Sequence, residues 1–196
     1  MPPRLEPWLI AAGVVGAVLL GKEAMGPMNL KGFVTRLKPD ALAAAKTKGW
    51  PTPAASDMII TQAVHESGAQ RAQGPSDLAL KHNNLFGITA ELGTFWRTKN
   101  YPYVDMPTTE WKTENGKSVS YKTTRPFRKY DTWAASVADW ARMISTMPIY
   151  AKAAEGLKTG NYSVFMKGLG DAGYATDPDY ETKLAGLLRI VTSYTS

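Results

Sequence analysis

The chain has 196 residues, 44% of them hydrophobic, and a formal net charge of +6. That length allows one compact domain with an appendage, and that apolar fraction excludes disorder over most of the chain. The absence of cysteine excludes disulfides, thiolate catalysis and Cys-ligated zinc. Two histidines, His65 and His82, without the zinc-protease spacing leave no metal site or cofactor to expect. Arg4 and Lys22 cancel Glu6 and Glu23, so the positive excess lies beyond residue 28. A basic body suits an anionic polymer: nucleic acid, acidic lipid or cell-wall glycan. No basic run carries interleaved aromatics, so no nucleic-acid partner is expected.

From Pro7 to Gly21 the chain is uncharged and rich in Gly and Ala. As a helix this run would reach roughly 22 Å, short of a bilayer core of about 30 Å. A secretory signal, a weak membrane anchor and an apolar arm inserted into a larger assembly all fit. An ordinary buried helix is the plainer alternative. Gly21-Lys22-Glu23-Ala24-Met25 is a poor cleavage site, which favours an uncleaved anchor or arm. Residues 1–28 are therefore expected to form an apolar N-terminal helix, ended by Gly26-Pro27, ahead of a second unit over 29–196. Its contact with a membrane, virion or secretion apparatus would run through residues 8–21.

Pro39 to Trp50 reads as an Ala-rich helix closed by Gly49. After the turn Trp50-Pro51-Thr52-Pro53, Ser56 reads as the N-cap of a helix with Ile59, Ile60, Ala63 and Val64 on its apolar face. That helix is expected to end near Gly68, leaving Glu66 in its last turn. An Asn-rich turn, Asn83-Asn84-Leu85-Phe86-Gly87-Ile88, leads into a buried segment. Thr108 to Glu114 and Lys117 to Thr123 flank Asn115-Gly116, a strong hairpin signal. Alternation puts Thr108, Glu110, Lys112 and Glu114 on one face and Thr109, Trp111 and Thr113 on the other. The last third is helical. Asp131 or Thr132 caps a stripe of Trp133, Val137, Trp140, Ala141 and Ile144. A second helix follows Pro148 and a third runs from Asn161. Asp177-Pro178 is expected to start the last, with Tyr180, Leu184, Leu187, Leu188 and Val191 inward. Helices around one hairpin make an α+β layout in which the hairpin walls a cleft.

Glu66 is the residue best placed for chemistry. Behind it lies an apolar helix, and Ser67-Gly68 permit a close turn. Such a carboxyl can stay protonated near neutral pH and protonate a leaving oxygen. The alternative is a solvated glutamate, disfavoured slightly because a negative charge at a helix C-terminus is unfavourable.

The segments Gln62-Ala63-Val64-His65-Glu66-Ser67-Gly68, Asn83-Asn84-Leu85-Phe86-Gly87-Ile88 and Gly173-Tyr174-Ala175-Thr176-Asp177-Pro178 occur in the order seen in peptidoglycan glucosaminidases typified by the flagellar rod-cap muramidase. The chain resembles that family over residues 36–194. The resemblance implies a mainly helical, lysozyme-like domain with a β-hairpin lobe. It also implies hydrolysis of the β-1,4 bond following N-acetylglucosamine in peptidoglycan, in the cell envelope or periplasm. Glu66 aligns with the family's general acid. Thr108-Thr109-Glu110-Trp111 resembles the family's Thr-Thr-Glu-Tyr, which makes Glu110 the second carboxylate, with Glu114 and then Asp105 as fallbacks. Tyr174 takes the place of a cleft-facing tyrosine that assists catalysis or binds the N-acetyl group. Asn83, Asn84 and Trp111 are the expected substrate contacts, although holding the turn is the commoner role for such an Asn pair. Family members generally have Leu before the Glu and Trp-Gly soon after Ser-Gly. Here His65 precedes it and Ala69-Gln70 follow, so the usual Trp platform is missing. A lytic transglycosylase or muramidase on the same fold, and a non-catalytic wall-binding component, are the competing readings.

Overall fold

In the computed structural model, residues 28–90, 101–114, 117–174 and 179–196 are described, with only the backbone of 110–113, 117 and 118. Residues 1–27 of the expected apolar segment, the Asn115-Gly116 turn and the Asp177-Pro178 helix start lie outside the described residues.

Helix α1 (Leu30–Thr47) opens on Asn29, whose side-chain oxygen accepts from the Gly32 amide at 2.8 Å. It starts nine residues before Pro39, where the sequence reading placed its beginning. Pro39 sits inside the helix, where a proline usually costs about 3 kcal/mol. Complete burial of Phe33, Val34 and Leu37 in the turns before it offsets that cost. Helix α2 (Ala54–Ser67) begins earlier than expected too. Its N-cap position is Pro53, and Ser56 lies inside the first turn, donating to the Pro53 carbonyl at 2.6 Å. Every residue from Ala55 to Val64 is buried, so α2 is the central helix, wrapped by the others rather than lying on one side of them.

A six-residue helix, α3 (Asp77–His82), is capped by Ser76; it is too short to leave a periodic pattern in the sequence. Strands β1 (Tyr103–Glu114) and β2 (Lys117–Arg128) pair antiparallel, from Tyr103 opposite Arg128 to Glu114 opposite Lys117. The ribbon is thus several residues longer at its base than the sequence indicates. Pro107 fits on the free edge of β1, and Pro126 fits because it is its carbonyl that meets residues 88–90, accepting from the Ala90 amide at 2.7 Å. Val104 and Met106 pack on a small second core of Leu78 and Phe127, and Thr108 is buried.

Helix α4 (Trp133–Thr146) is capped by Thr132 and buries the expected stripe. A 3-10 turn (Pro148–Tyr150) leads to α5 (Ala151–Thr159), and α6 (Tyr162–Asp171) is capped by Asn161. Helix α7 is described over Tyr180–Thr195, with Tyr180, Leu184 and Val191 buried, Leu187 and Leu188 half-buried. This is the mainly helical α+β layout with a hairpin lobe that the sequence implies. Among the described residues no helix is long and apolar enough to cross a membrane.

Candidate active site

Glu66 stands in the last turn of the buried helix α2 and is half-buried itself. The helix stops there through a two-bond turn: the Gly68 amide donates to His65 and the Ala69 amide to Val64. Gly68 holds the left-handed conformation, φ 73°, that such a stop requires. The Arg71 side chain lies where a β-carbon on Gly68 would point, 3.3 Å from that position. The Ser-Gly after the acid therefore ends the helix and lets the chain fold back over its terminus.

Polar and aromatic side chains surround the carboxyl. Gln62, one turn earlier on the same face, donates from Nε2 to Glu66 Oε1 at 3.1 Å. Tyr180, the first residue of α7, brings its hydroxyl to 3.3 Å from the same oxygen. The Tyr174 and Tyr150 rings continue the wall: Tyr150 and Tyr174 centroids are 5.8 Å apart, Tyr174 and Tyr180 6.5 Å and nearly parallel. His65 meets the Tyr180 ring edge-on at 5.1 Å.

This setting is hostile to a carboxylate. Burial pushes the Glu66 pKa up to about 8, against the lowering effects of the Tyr180 hydrogen bond and the Arg71 charge. Burial and then the nearby Glu66 charge hold Tyr150, Tyr174 and Tyr180 above the ordinary phenol range. At neutral pH the site therefore holds a protonated carboxyl, half open to solvent, walled by neutral tyrosines. Such a group can deliver a proton to a leaving oxygen.

Tyr174 lies near enough to feel the Glu66 charge, but it does not face a cleft. It is fully buried, and its hydroxyl donates to the Phe86 carbonyl at 3.4 Å. The cause is local. Helix α6 ends with Gly173 at φ 66°, the Gly173 amide bonded to Gly170 and the Tyr174 amide to Leu169. That turn swings residue 174 back under the helices.

The asparagine pair serves the backbone in this structure. Asn83 caps α3 in a left-handed conformation and donates to the Tyr130 and Asp131 carbonyls. Asn84 is buried; its amide donates to Ile88 and Arg128 carbonyls and accepts from the Ile88 amide. All its polar capacity faces inward, so Asn84 holds the chain crossing at the hairpin base rather than offering an amide to a ligand. Glu110 and Trp111 lie on β1 opposite Tyr121 and Ser120; their side chains lie outside the described residues. The fallback carboxylates, Asp105 and Glu114, are exposed.

Sequence reasoning missed Gln62 and Tyr180 as parts of the site. Gln62 had a signal, the four-residue spacing to Glu66. Tyr180 has only its place in an apolar stripe, which buries the ring but says nothing of where the hydroxyl ends.

The family profile described as mannosyl-glycoprotein endo-beta-N-acetylglucosaminidase matches residues 38–192. The peptidoglycan hydrolase FlgJ of Escherichia coli K12 is 29% identical over 167 residues, 85% of this chain and 48% of its own length. The exo-glucosaminidase LytG of Bacillus subtilis is 35% identical over 135 residues, 67% of this chain and 42% of its own. The chain thus spans a little under half the length of these curated relatives. Among solved structures, a peptidoglycan hydrolase mutant from Sphingomonas sp. A1 superposes with a TM-score of 0.63 at 28% identity, covering 84% of this chain and 97% of that one. The catalytic domain of the autolysin Auto from Listeria monocytogenes gives 0.62 at 27%, covering 88% and 90%. With a profile running from the middle of α1 almost to the end of α7, the chain belongs to the glucosaminidase family.

Proposed function

We propose that this chain is a glycoside hydrolase acting on peptidoglycan outside the cytoplasm, cleaving the β-1,4 bond that follows N-acetylglucosamine. The observation that carries this reading is the setting of Glu66: a half-open carboxyl at the end of a buried helix, in contact with Gln62 and Tyr180, whose pKa burial pushes up to about 8. Family membership and the names of the peptidoglycan-hydrolase relatives support the substrate. In this reading Glu66 protonates the glycosidic oxygen. Glu110 supplies the second carboxylate from the hairpin, and Trp111, on the other face of β1, contacts the glycan strand away from that carboxylate. Tyr174 walls the acid from beneath, and Asn83 and Asn84 hold the hairpin base in place.

Glu66→Gln keeps the shape and the Gln62 and Tyr180 neighbours but removes the transferable proton. Turnover on purified walls is expected to fall about 10²-fold or more, and normal lysis by the folded variant would sink the assignment. Mass spectrometry of released muropeptides reads the bond: reducing N-acetylglucosamine ends support the proposal. Reducing or anhydro N-acetylmuramic ends would replace it with a muramidase or transglycosylase, and no products with a wall-binding part.

The uncharged run from Pro7 to Gly21 supports a finer reading, in which residues 8–21 hold the hydrolase to a membrane or a particle. A shortened chain starting near Leu30, with the Asn29 cap kept, is expected to stay folded and active on purified walls while no longer sedimenting with vesicles. Equal sedimentation of both chains would remove that role.

A further inference from the structure

Two donors converge on one oxygen of Glu66. Gln62 Nε2 reaches Oε1 at 3.1 Å and the Tyr180 hydroxyl reaches the same atom at 3.3 Å. Gln62 and Tyr180 are also joined to each other: Nε2 donates to the phenol oxygen at 2.7 Å, and the phenol lies 3.0 Å from Gln62 Oε1. Both are buried, so these bonds form away from competing water. A carboxylic acid accepts hydrogen bonds through its carbonyl oxygen and carries its proton on the other. The Gln62 amide on Oε1, itself held by Tyr180, therefore makes Oε1 the carbonyl oxygen and leaves the proton on Oε2.

The phenol has one proton and two acceptors within reach, Gln62 Oε1 and Glu66 Oε1. It can satisfy only one at a time. While the acid is neutral, the amide oxygen is the acceptor at the shorter distance. Once Oε2 has given its proton away, the carboxylate is the stronger acceptor. A rotation about the phenolic C–O bond moves the hydrogen bond across without moving the ring.

We propose that Gln62 and Tyr180 form a positioning pair that selects Oε2 of Glu66 as the proton-donating oxygen and then stabilises the carboxylate left behind. The inference rests on Glu66 being the general acid. In the step it describes, the Oε2–H bond breaks and the proton goes to the leaving glycosidic oxygen. The electron pair of that bond stays on Glu66, and Tyr180 keeps its own proton throughout. The other groups that face the carboxyl are Arg71, which favours the carboxylate, and the neutral Tyr150 and Tyr174; His65 lies edge-on behind Tyr180.

The test uses the full chain with Tyr180→Phe and Gln62→Leu, assayed on soluble uncrosslinked glycan strands across pH. A carbon-13 NMR titration of the Glu66 carboxyl runs in parallel. Each variant removes a donor to the carboxylate and keeps an apolar body in the core. Both are expected to lower kcat about tenfold with little change in KM, the scale of one charge-assisted hydrogen bond. Both should move the Glu66 titration, and the alkaline limb of kcat/KM, upward by about one pH unit. Loss of folded protein alone would lower activity, most of all at alkaline pH, and so cannot move the limb upward. If the limb and the titration stay put in both variants, the pairing inference is wrong. Glu66→Gln separates this from failure of the parent reading. An inactive Glu66→Gln with unmoved limbs overturns only the pair, whereas an active Glu66→Gln overturns the acid assignment as well.

Discussion

At the scale of single residues, the site sets chemistry against stability, and the conflict can be measured. Glu66 has a folded pKa of about 8 against an ordinary 4.5. Between those values the folded chain binds more protons than the unfolded one, so stability falls as pH rises. Below about pH 4.5 this penalty is absent, and above about pH 8 it is complete. Glu66→Gln removes the titrating group while keeping the shape. The variant is therefore expected to melt higher than the parent at pH 9, with the gain shrinking steadily toward pH 4. Calorimetry at a series of pH values checks this, and a pH-independent difference in Tm would show that Glu66 is not held protonated by the fold. The same group would then be too ordinary an acid for the role proposed for it.

At the scale of elements, the sequence was informative where side chains alternate and less so where turns aim them. The apolar spacing of Ile59, Ile60, Ala63 and Val64, with Gly68 after it, places Glu66 at the end of a core helix. The Asn115-Gly116 signal places β1 and β2 in the observed register. Pro39 misled, because proline at a first helical position is a strong local signal and the packing of Phe33 and Leu37 before it is a tertiary one. The family resemblance puts Tyr174 at a cleft, but the turn at Gly173 aims it into the core, and a motif carries no sign of that direction. Glycine also governs how α5 meets α6. A β-carbon on Gly168 would sit 2.3 Å from the Ala153 amide nitrogen, and one on Gly156 equally close to that of Phe165. Backbone cannot yield as a flexible side chain can, so Gly168→Ala should cost about 1–3 kcal/mol or more. At about 2–4 °C per kcal/mol for a chain of this size, Tm should fall by about 5 °C. Gly186 on α7 has nothing within 4 Å of the added carbon. There Ala should raise stability by about 0.5–1 kcal/mol through helix propensity alone. Equal effects at the two positions would contradict the close packing of α5 on α6.

At the scale of the whole molecule, the helical body holds Glu66 and the hairpin carries Glu110, so any joint action depends on how the two lobes are tied. Beside the Asn84 bonds, the charged tie among the described residues is Arg128, at the end of β2 and almost fully buried. Its Nη1 donates to Asp139 on α4 at 2.6 Å, its Nε donates to the Thr89 carbonyl at 3.1 Å, and its guanidinium lies 3.7 Å over the Tyr101 ring. Asp139 also accepts from the Tyr130 hydroxyl at 2.8 Å and from Arg142. Burial works against ionising Asp139, but the Arg142 bond and the Arg128 charge outweigh it and hold its pKa below the usual carboxylate range. Its contribution is therefore present above an ordinary Asp pKa and lost as pH falls through the depressed one. Removing one partner strands the other charge inside the protein, at about 3–5 kcal/mol. For Asp139→Ala the loss should fall first on the elements Arg128 binds. Hydrogen exchange should quicken in β1, β2 and residues 88–90 before it quickens in α2. Wall lysis should drop although the Glu66 surroundings stay intact by NMR. If exchange instead rose uniformly, with α2 opening alongside the strands, Asp139 would be a general stabiliser, and the hairpin would not be a separately hinged half of the site.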